Sequence, residues 1–372
     1  MTKSEGEIPS LPQEIMEDIL SRLPAKYIAQ FRCVSNPWRT LLSDQQFINT
    51  HLSNRHTKEN LILISPNQSL YTITNLAVSR KLTFQPELSD TWTEVVGSCN
   101  GLVLLENEEE DKFLVNPTTL KQVKIRDSPL ALNKRESFWM HGFGYDVLSD
   151  DYKIVTLSYY DPEDVHSDTF VDVYSVKRGV WRRLDPSPYN HSFPDLSPGA
   201  FVNGSIHWLA TSSKSGYTSV IAAFDLVDEK FKEIPAPGCL DEKVFVFNKL
   251  VTFAGRLCLI DETQDNVRFD VWIMEEYGVE KSWVKFSVVL NNDWERVKLL
   301  CFTGDEEVVL LIDEERLVVY NLKGGTSRDL IVDGVPALFI EGGTFVESLA
   351  STGLGDCIGV QHFGWKWRMM KM

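Results

Sequence analysis

Residues 10–52 read SLPQEIMEDILSRLPAKYIAQFRCVSNPWRTLLSDQQFINTHL, and this stretch decides how the whole chain is organised. Pro12 after Leu11 suits a helix start, where its fixed φ fits the first turn and its missing N–H costs nothing. Ser10 fits the N-cap. Leu11, Ile15, Ile19 and Leu23 recur every four residues, with Met16 and Leu20 beside them, and form one broad apolar face. Leu23-Pro24 ends that helix, because a residue before proline avoids the α region. A second helix is expected through Ile28, Phe31 and Val34, and a third carrying Trp38, Leu41, Leu42, Phe47, Ile48 and Leu52. About forty residues cannot bury that much apolar surface alone. The module must pack on the rest of the chain or dock elsewhere.

The order LP…EI…IL.RLP.K, then FRCVS, a tryptophan and F…HL resembles the F-box, the helical module that joins a protein to a Skp1–cullin ubiquitin ligase. The resemblance implies a Skp1-binding face made of Leu11, Pro12, Ile15, Ile19, Leu20, Leu23, Pro24, Lys26, Phe31, Arg32, Val34 and Trp38. It also implies cullin-1 as a partner reached through Skp1. Tyr27 stands where the family usually has serine, and Asn36-Pro37 replaces the usual short polar pair before Trp38. Pro37 is accommodated in the first turn of a helix.

The chain has 372 residues, 43% of them hydrophobic and 24% charged, which suits a soluble globular protein of two or three domains. No apolar run reaches membrane-spanning length, and MTKSEGEIPS has no apolar core of a signal peptide. Cytosol or nucleus is the expected compartment. The cysteines are scattered without a CxxC pair and the histidines form no HExxH pattern, so no metal and no cofactor is expected. The formal net charge is −16. Residues 1–58 hold seven basic and six acidic residues, leaving 30 basic and 47 acidic residues beyond them. Such a domain repels phosphate backbones, which disfavours nucleic acid, and it can steer in a basic partner. The run Glu106–Asp111 reads as a hairpin tip. The final GWKWRMMKM is too short to anchor the chain in a membrane by itself.

From Leu61 onward short apolar runs alternate with turn residues, and a repeat emerges. FLVNPTTLKQVKI (113–125), FVDVYSVKRGVWRRL (170–184), VIAAFDLVDEKFKEI (220–234), RFDVWIMEEYGVEKSWVKF (268–286) and LVVYNLKGGTSRDL (317–330) share a strand–turn–strand design. Aligning Asn116, Ser175, Asp225, Ile273 and Asn321 gives steps of 59, 50, 48 and 48 residues. A second hairpin precedes several of them: SCNGLVLLE (98–106), VNGSIHWLA (202–210) and FAGRLCLID (253–261), with Asn-Gly, Gly-Ser and Gly-Arg as the turn pairs. Two hairpins per repeat make a four-stranded sheet, the unit of a β-propeller. Counting the weaker segments near 61–93 and 336–365, about six or seven blades fit. A pair of β-sandwiches is the rival fold.

DVWIMEEYGVEKSWVKF (270–286), FGYDVLSDDYKIV (143–155) and SCNGLV (98–103) are similar to the F-box-associated interaction domain of type 1, found in plants. In that family the domain binds the protein to be ubiquitinated, in roles from turnover of immune receptors to recognition of pollination ribonucleases. The expected chain is thus an α+β multidomain protein: an all-α F-box over 8–53, a linker and first β segment over 54–94, an all-β propeller-like target-binding domain over 95–350 and a tail over 351–372. The expected function is that of a non-catalytic, F-box/kelch-like substrate receptor of a ubiquitin ligase.

Gly142-Phe143-Gly144 lacks the third glycine or the Gly-Lys-Ser/Thr of a phosphate loop, and Ser205 and His207 lack a GxSxG elbow. A propeller enzyme would need acids or histidines at equivalent inner-strand positions, which the pattern does not single out. A Skp1-bound adaptor outside any ligase is the other alternative. Trp181, Trp208, Trp272 and Trp283 fall at repeat-equivalent strand positions and are expected between blades. Trp139, Tyr160, Tyr189, His191 and Phe193 lie in or beside irregular segments, notably DPSPYNHSFPDLSPG (185–199), and are the candidate target contacts.

Overall fold

The computed structural model describes residues 11–54, 59–84, 91–160, 168–191, 197–212, 218–237, 249–262, 268–289, 294, 296–303 and 306–351. It opens with four helices, α1 (Gln13–Ser21), α2 (Ala25–Phe31), α3 (Asn36–Leu42) and α4 (Gln45–Ser53). Pro12 and Pro24 occupy the N-caps of α1 and α2 rather than their first turns. Ser35 caps α3 by accepting from Trp38 N at 3.4 Å, and Pro37 sits in the first turn. The expected third helix is two helices. Asp44 Oδ1 accepts from Gln46 N and Phe47 N at 2.9 and 3.2 Å, and this cap starts a new helix. Val34 falls in the turn after α2, not within it. No helix among the described residues is long and apolar enough to cross a membrane.

The remainder is built from six four-stranded antiparallel sheets. In chain order the strands are β1 (Glu59–Ile64), β2 (Leu70–Thr74) and β3 (Val78–Lys81); β4 (Trp92–Cys99), β5 (Leu102–Asn107), β6 (Lys112–Asn116) and β7 (Lys121–Ile125); β8 (Phe138–Asp146), β9 (Asp151–Tyr159), β10 (Phe170–Ser175) and β11 (Val180–Arg183); β12 (Ala200–Val202), β13 (Ser205–Ser212), β14 (Thr218–Asp225) and β15 (Lys230–Ile234); β16 (Lys249–Phe253), β17 (Arg256–Glu262), β18 (Arg268–Met274) and β19 (Trp283–Val289); β20 (Val297–Phe302), β21 (Glu307–Ile312), β22 (Arg316–Asn321) and β23 (Thr326–Asp329); and β24 (Glu341–Val346). The last strand pairs with β1, from Glu59↔Val346 to Ile64↔Glu341, and completes the first blade. The fold is a six-bladed β-propeller. The two weak segments near 61–93 and 336–365 therefore contribute to one shared blade, not two. The segment 54–94 carries β1–β3 and the start of β4.

Alternation along β1 shows why the ring must close. Leu61 and Leu63 point into a core shared with the sixth blade, whereas Ile62 and Ile64 point into a core shared with the second. Each blade is apolar on both faces, and every pair of neighbours encloses one such core. Trp208 and Trp283 are buried in these cores, while Trp181 and Trp272 pack on them half-buried. The repeat read from sequence has a physical origin at the strand ends. Asn116 Oδ1 accepts from Thr118 N and Thr119 N (2.9 and 3.1 Å), and Asp225 Oδ1 accepts from Val227 N and Asp228 N (2.9 and 3.1 Å). These side chains close equivalent hairpins as local turn caps. Elsewhere the turn pairs are Asn203-Gly204 and Ala254-Gly255, both residues at positive φ, one position earlier than the Gly-Ser and Gly-Arg pairs expected.

Gly142 and Gly144 lie within β8, an inner strand, where neighbouring blades press close. A Cβ at Gly142 would meet Trp208 Cζ2 at 2.7 Å and collide with Ile206. Gly142→Ala is expected to destabilise the fold by about 1–3 kcal/mol through overpacking, read as a lowered thermal midpoint; an unchanged midpoint would place the blades further apart than described.

Candidate binding surfaces

The helical module has two sides. Its core contains Leu20, Ala25, Ile28, Leu42, Phe47 and Ile48, with Leu23, Phe31 and Trp38 packed against it. Phe31 meets Trp38 edge-on at 5.5 Å, and the Arg32 guanidinium donates twice to the Leu42 carbonyl (3.0 and 2.6 Å). Of the residues expected to face Skp1, Leu20 is thus interior, and Leu23, Pro24, Phe31, Arg32 and Trp38 are half-buried. Leu11, Ile15, Ile19 and Val34 are solvent-exposed, at 59, 49, 47 and 67%, together with Tyr27, Pro12 and Lys26. Four exposed aliphatic side chains within one small module form an unpartnered apolar surface.

One further residue enters the helical core: Leu349, just beyond β24. Its neighbours are tied to the ring, for Asn116 Nδ2 donates to the Ser348 and Ala350 carbonyls (3.2 and 2.9 Å). Asn116 belongs to a hairpin turn, so the helices sit at the turn end of the propeller. The connections between blades emerge at the opposite, loop end.

At the loop end Trp139 lies at the start of β8, beside the irregular residues that precede it, and is half-buried. Its Nε1 donates to Ser137 Oγ (2.9 Å), and the Lys112 and Lys134 Nζ atoms stand 5.9 and 5.2 Å from its ring centroid. Tyr160 is exposed just past β9. Tyr189 is half-buried against Phe231, ring centroids 6.0 Å apart. His191 is fully buried: Ser187 Oγ bonds its Nε2 at 2.9 Å, and its ring meets Trp208 edge-on at 6.1 Å. Burial pushes its pKa down to about 3, so it is a neutral packing residue and not an exposed contact. Phe193 lies outside the described residues. Ser187 N donates to Thr169 O (2.9 Å) and Gly199 N to His141 O (2.7 Å).

The inner strands enclose a central cavity of about 850 Å³. At its loop end Glu94, Lys249, Lys298 and Glu341 converge, and Lys298 is ion-paired with Glu341. A side pocket of about 360 Å³ opens between the second and third blades, lined by Glu94, Lys112, Lys134, Phe138, Trp139 and His141 among others. Glu94 lines both cavities. Burial, then the charges of Glu106 and Glu341, push its pKa up to about 7. His141 is held well below its ordinary value by burial and by Lys112 and Lys134. Two register irregularities in β4, at Trp92/Glu94 and Val95/Gly97, flank this carboxylate, and such bulges re-aim side chains. Ser205 and His207 form no catalytic pair: His207 Nδ1 donates to Ala200 O (2.9 Å) and Nε2 accepts from the Tyr277 hydroxyl (2.8 Å). Among the described residues no cluster of His, Cys, Asp or Glu could hold a metal ion.

Comparison with known families matches residues 8–50 to the F-box domain and residues 49–349 to the F-box associated beta propeller domain. The chain is a member of this F-box family. An F-box/kelch-repeat protein of Arabidopsis thaliana is 32% identical over 335 residues, spanning 85% of this chain and 89% of its own. A second Arabidopsis F-box protein is 28% identical over 385 residues (90% of both chains), and the Arabidopsis F-box protein CPR1 is 28% identical over 357 residues (89% of this chain, 86% of its own).

In this F-box protein the sequence pattern missed the charged mouth of the channel, because Glu94, Lys298 and Glu341 meet only once the ring is closed. Glu94 carries a pH dependence whose sign follows from its raised pKa. Stability is full below the ordinary carboxyl range, where folded and unfolded chains are both protonated, and is lost progressively as pH rises from there through about 7. Glu94→Gln removes that loss. Its stability relative to wild type is expected to increase from about pH 5 to about pH 8, by about 2–3 kcal/mol. Chemical denaturation at the two pH values reads the difference; a constant difference would mean that Glu94 ionises as an exposed carboxyl does.

Proposed function

We propose that this F-box protein is the substrate-receptor subunit of a Skp1–cullin–F-box ubiquitin ligase, acting in the cytosol or nucleus. The helical module grips a Skp1-like protein, which links it to cullin-1, and the loop end of the propeller holds the target for ubiquitination and proteasomal degradation. The observation that carries this reading is the exposure of the aliphatic side chains Leu11, Ile15, Ile19 and Val34 on a module whose core is already filled. The family match over both segments supports it. The work of such a receptor is tethering: a target held beside a ubiquitin-charged enzyme reacts at high effective concentration. No side chain of this protein takes part in isopeptide chemistry under this reading.

Neighbouring residues of α1 provide the test. Ile19→Asp places a charge on the docking row, and its burial against a partner is strongly unfavourable. Capture of a recombinant plant Skp1-like protein is expected to be abolished with the melting temperature unchanged. Leu20→Ala instead removes a core side chain and should cost about 2–5 kcal/mol of stability in the helical module. Undiminished capture by Ile19→Asp would sink the proposal. Co-purification of cullin-1 through Skp1 separates a ligase subunit from an adaptor outside any ligase, which would bring down Skp1 alone.

A further inference from the structure

We propose that the side pocket at the channel mouth receives an arginine side chain of the target protein, with Glu94 as its counter-ion. The inference rests on the loop end being the target-binding end, and it names the chemistry recognised there.

Among the described residues, no hydrogen bond or ion pair to the Glu94 carboxyl is found, although it lines both the channel and the pocket. The cations nearest to it are engaged elsewhere. Lys112 is buried, and its Nζ lies 3.2 Å from Glu106 Oε2 and 3.5 Å from Asp127 Oδ1, with Glu110 O a further acceptor at 3.3 Å. Lys134 pairs with Asp127 (2.9 Å) and Glu110 (3.4 Å), and Lys298 pairs with Glu341. Lys249 lines the channel and not the side pocket. The pocket's lysines are thus paired with other acids, and among the described residues Glu94 is the pocket carboxyl that no side chain pairs with, Lys112 and Lys298 acting on it only through their longer-range field. Its cross-strand neighbour aggravates this, since Glu106 lies directly opposite on β5.

The walls suit a guanidinium. Trp139 and Phe138 line the pocket; Lys112 and Lys134 already stand over the Trp139 ring, whereas Phe138, fixed by stacking on Tyr159 at 5.8 Å, carries no cation among the described residues. A planar, weakly hydrated cation can lie against an aromatic face while pairing two N–H groups with a carboxylate, a geometry that arginine offers and lysine does not. A volume of about 360 Å³ leaves room for one long side chain. The rest of the protein favours the same partner, because 47 acidic residues against 30 basic ones beyond position 58 draw in a basic surface.

The test uses the full chain and a capped Gly-Arg-Gly peptide, with the citrulline peptide as its neutral isostere. The reporter is the indole N–H resonance of Trp139, identified by its loss in Trp139→Phe. The arginine peptide is expected to shift that resonance saturably at millimolar concentrations, and the citrulline peptide to leave it in place. Glu94→Gln should weaken arginine binding by about tenfold or more, the loss expected for a charge-assisted hydrogen bond. No saturable shift, an equal response to citrulline, or unchanged affinity in Glu94→Gln would each overturn the assignment. Ile19→Asp, which tests the docking row, leaves this pocket intact, so a failure of the pocket and a failure of the ligase reading are told apart.

Discussion

Every blade of this propeller is apolar on both faces, and that single constraint determines the rest. A sheet such as β1–β3, with Leu61 and Leu63 on one side and Ile62 and Ile64 on the other, is stable only between two neighbours. The series of stacked sheets ends only when the last strand returns to the first, as β24 does along β1. Side chains on the strands are then committed to the inter-blade cores. What the molecule can present to partners lies at the two ends of the ring and in its channel.

The strand that closes the ring also places the helices. Three residues beyond β24, Leu349 fills the core of the helical module, while the Ser348 and Ala350 carbonyls on either side are held by Asn116. Ring closure and attachment of the F-box are therefore one structural event. The exposed apolar side chains of the helical module and the loop end of the propeller come to lie on opposite sides of the ring. Pairing residue 59 with residue 346 requires a contact across nearly the whole chain, and such long-range closure makes slow folding the expectation.

Much of this was written locally. The apolar spacing of α1, the proline before α2 and the capped hairpin turns at Asn116, Asp225 and Asn321 are short-range signals, and each matches an observed element. The closing strand was not legible in this way. EGGTFV opens on Glu-Gly-Gly, residues depleted in strands, and its strand character there comes from β1 beside it; a Cβ at Gly342 would press on Leu63 at 2.7 Å. His191 looked like loop material because it sits among prolines, yet tertiary packing against Trp208 and Phe231 takes it inside. Glu94 gave no local sign at all. Its significance depends on Glu341 and Lys298, which lie more than two hundred residues away in the chain and come near it only when the inner strands line the closed channel.

Hydrogen–deuterium exchange of the full chain, with and without a plant Skp1-like protein, addresses the separation of docking end and target end most directly. Protection on binding should be confined to residues 11–38, with the exchange of 126–141, 158–160 and 184–191 at the loop end unchanged. Protection at the loop end, or none within 11–38, would contradict the assignment of the exposed row on α1 as the docking surface.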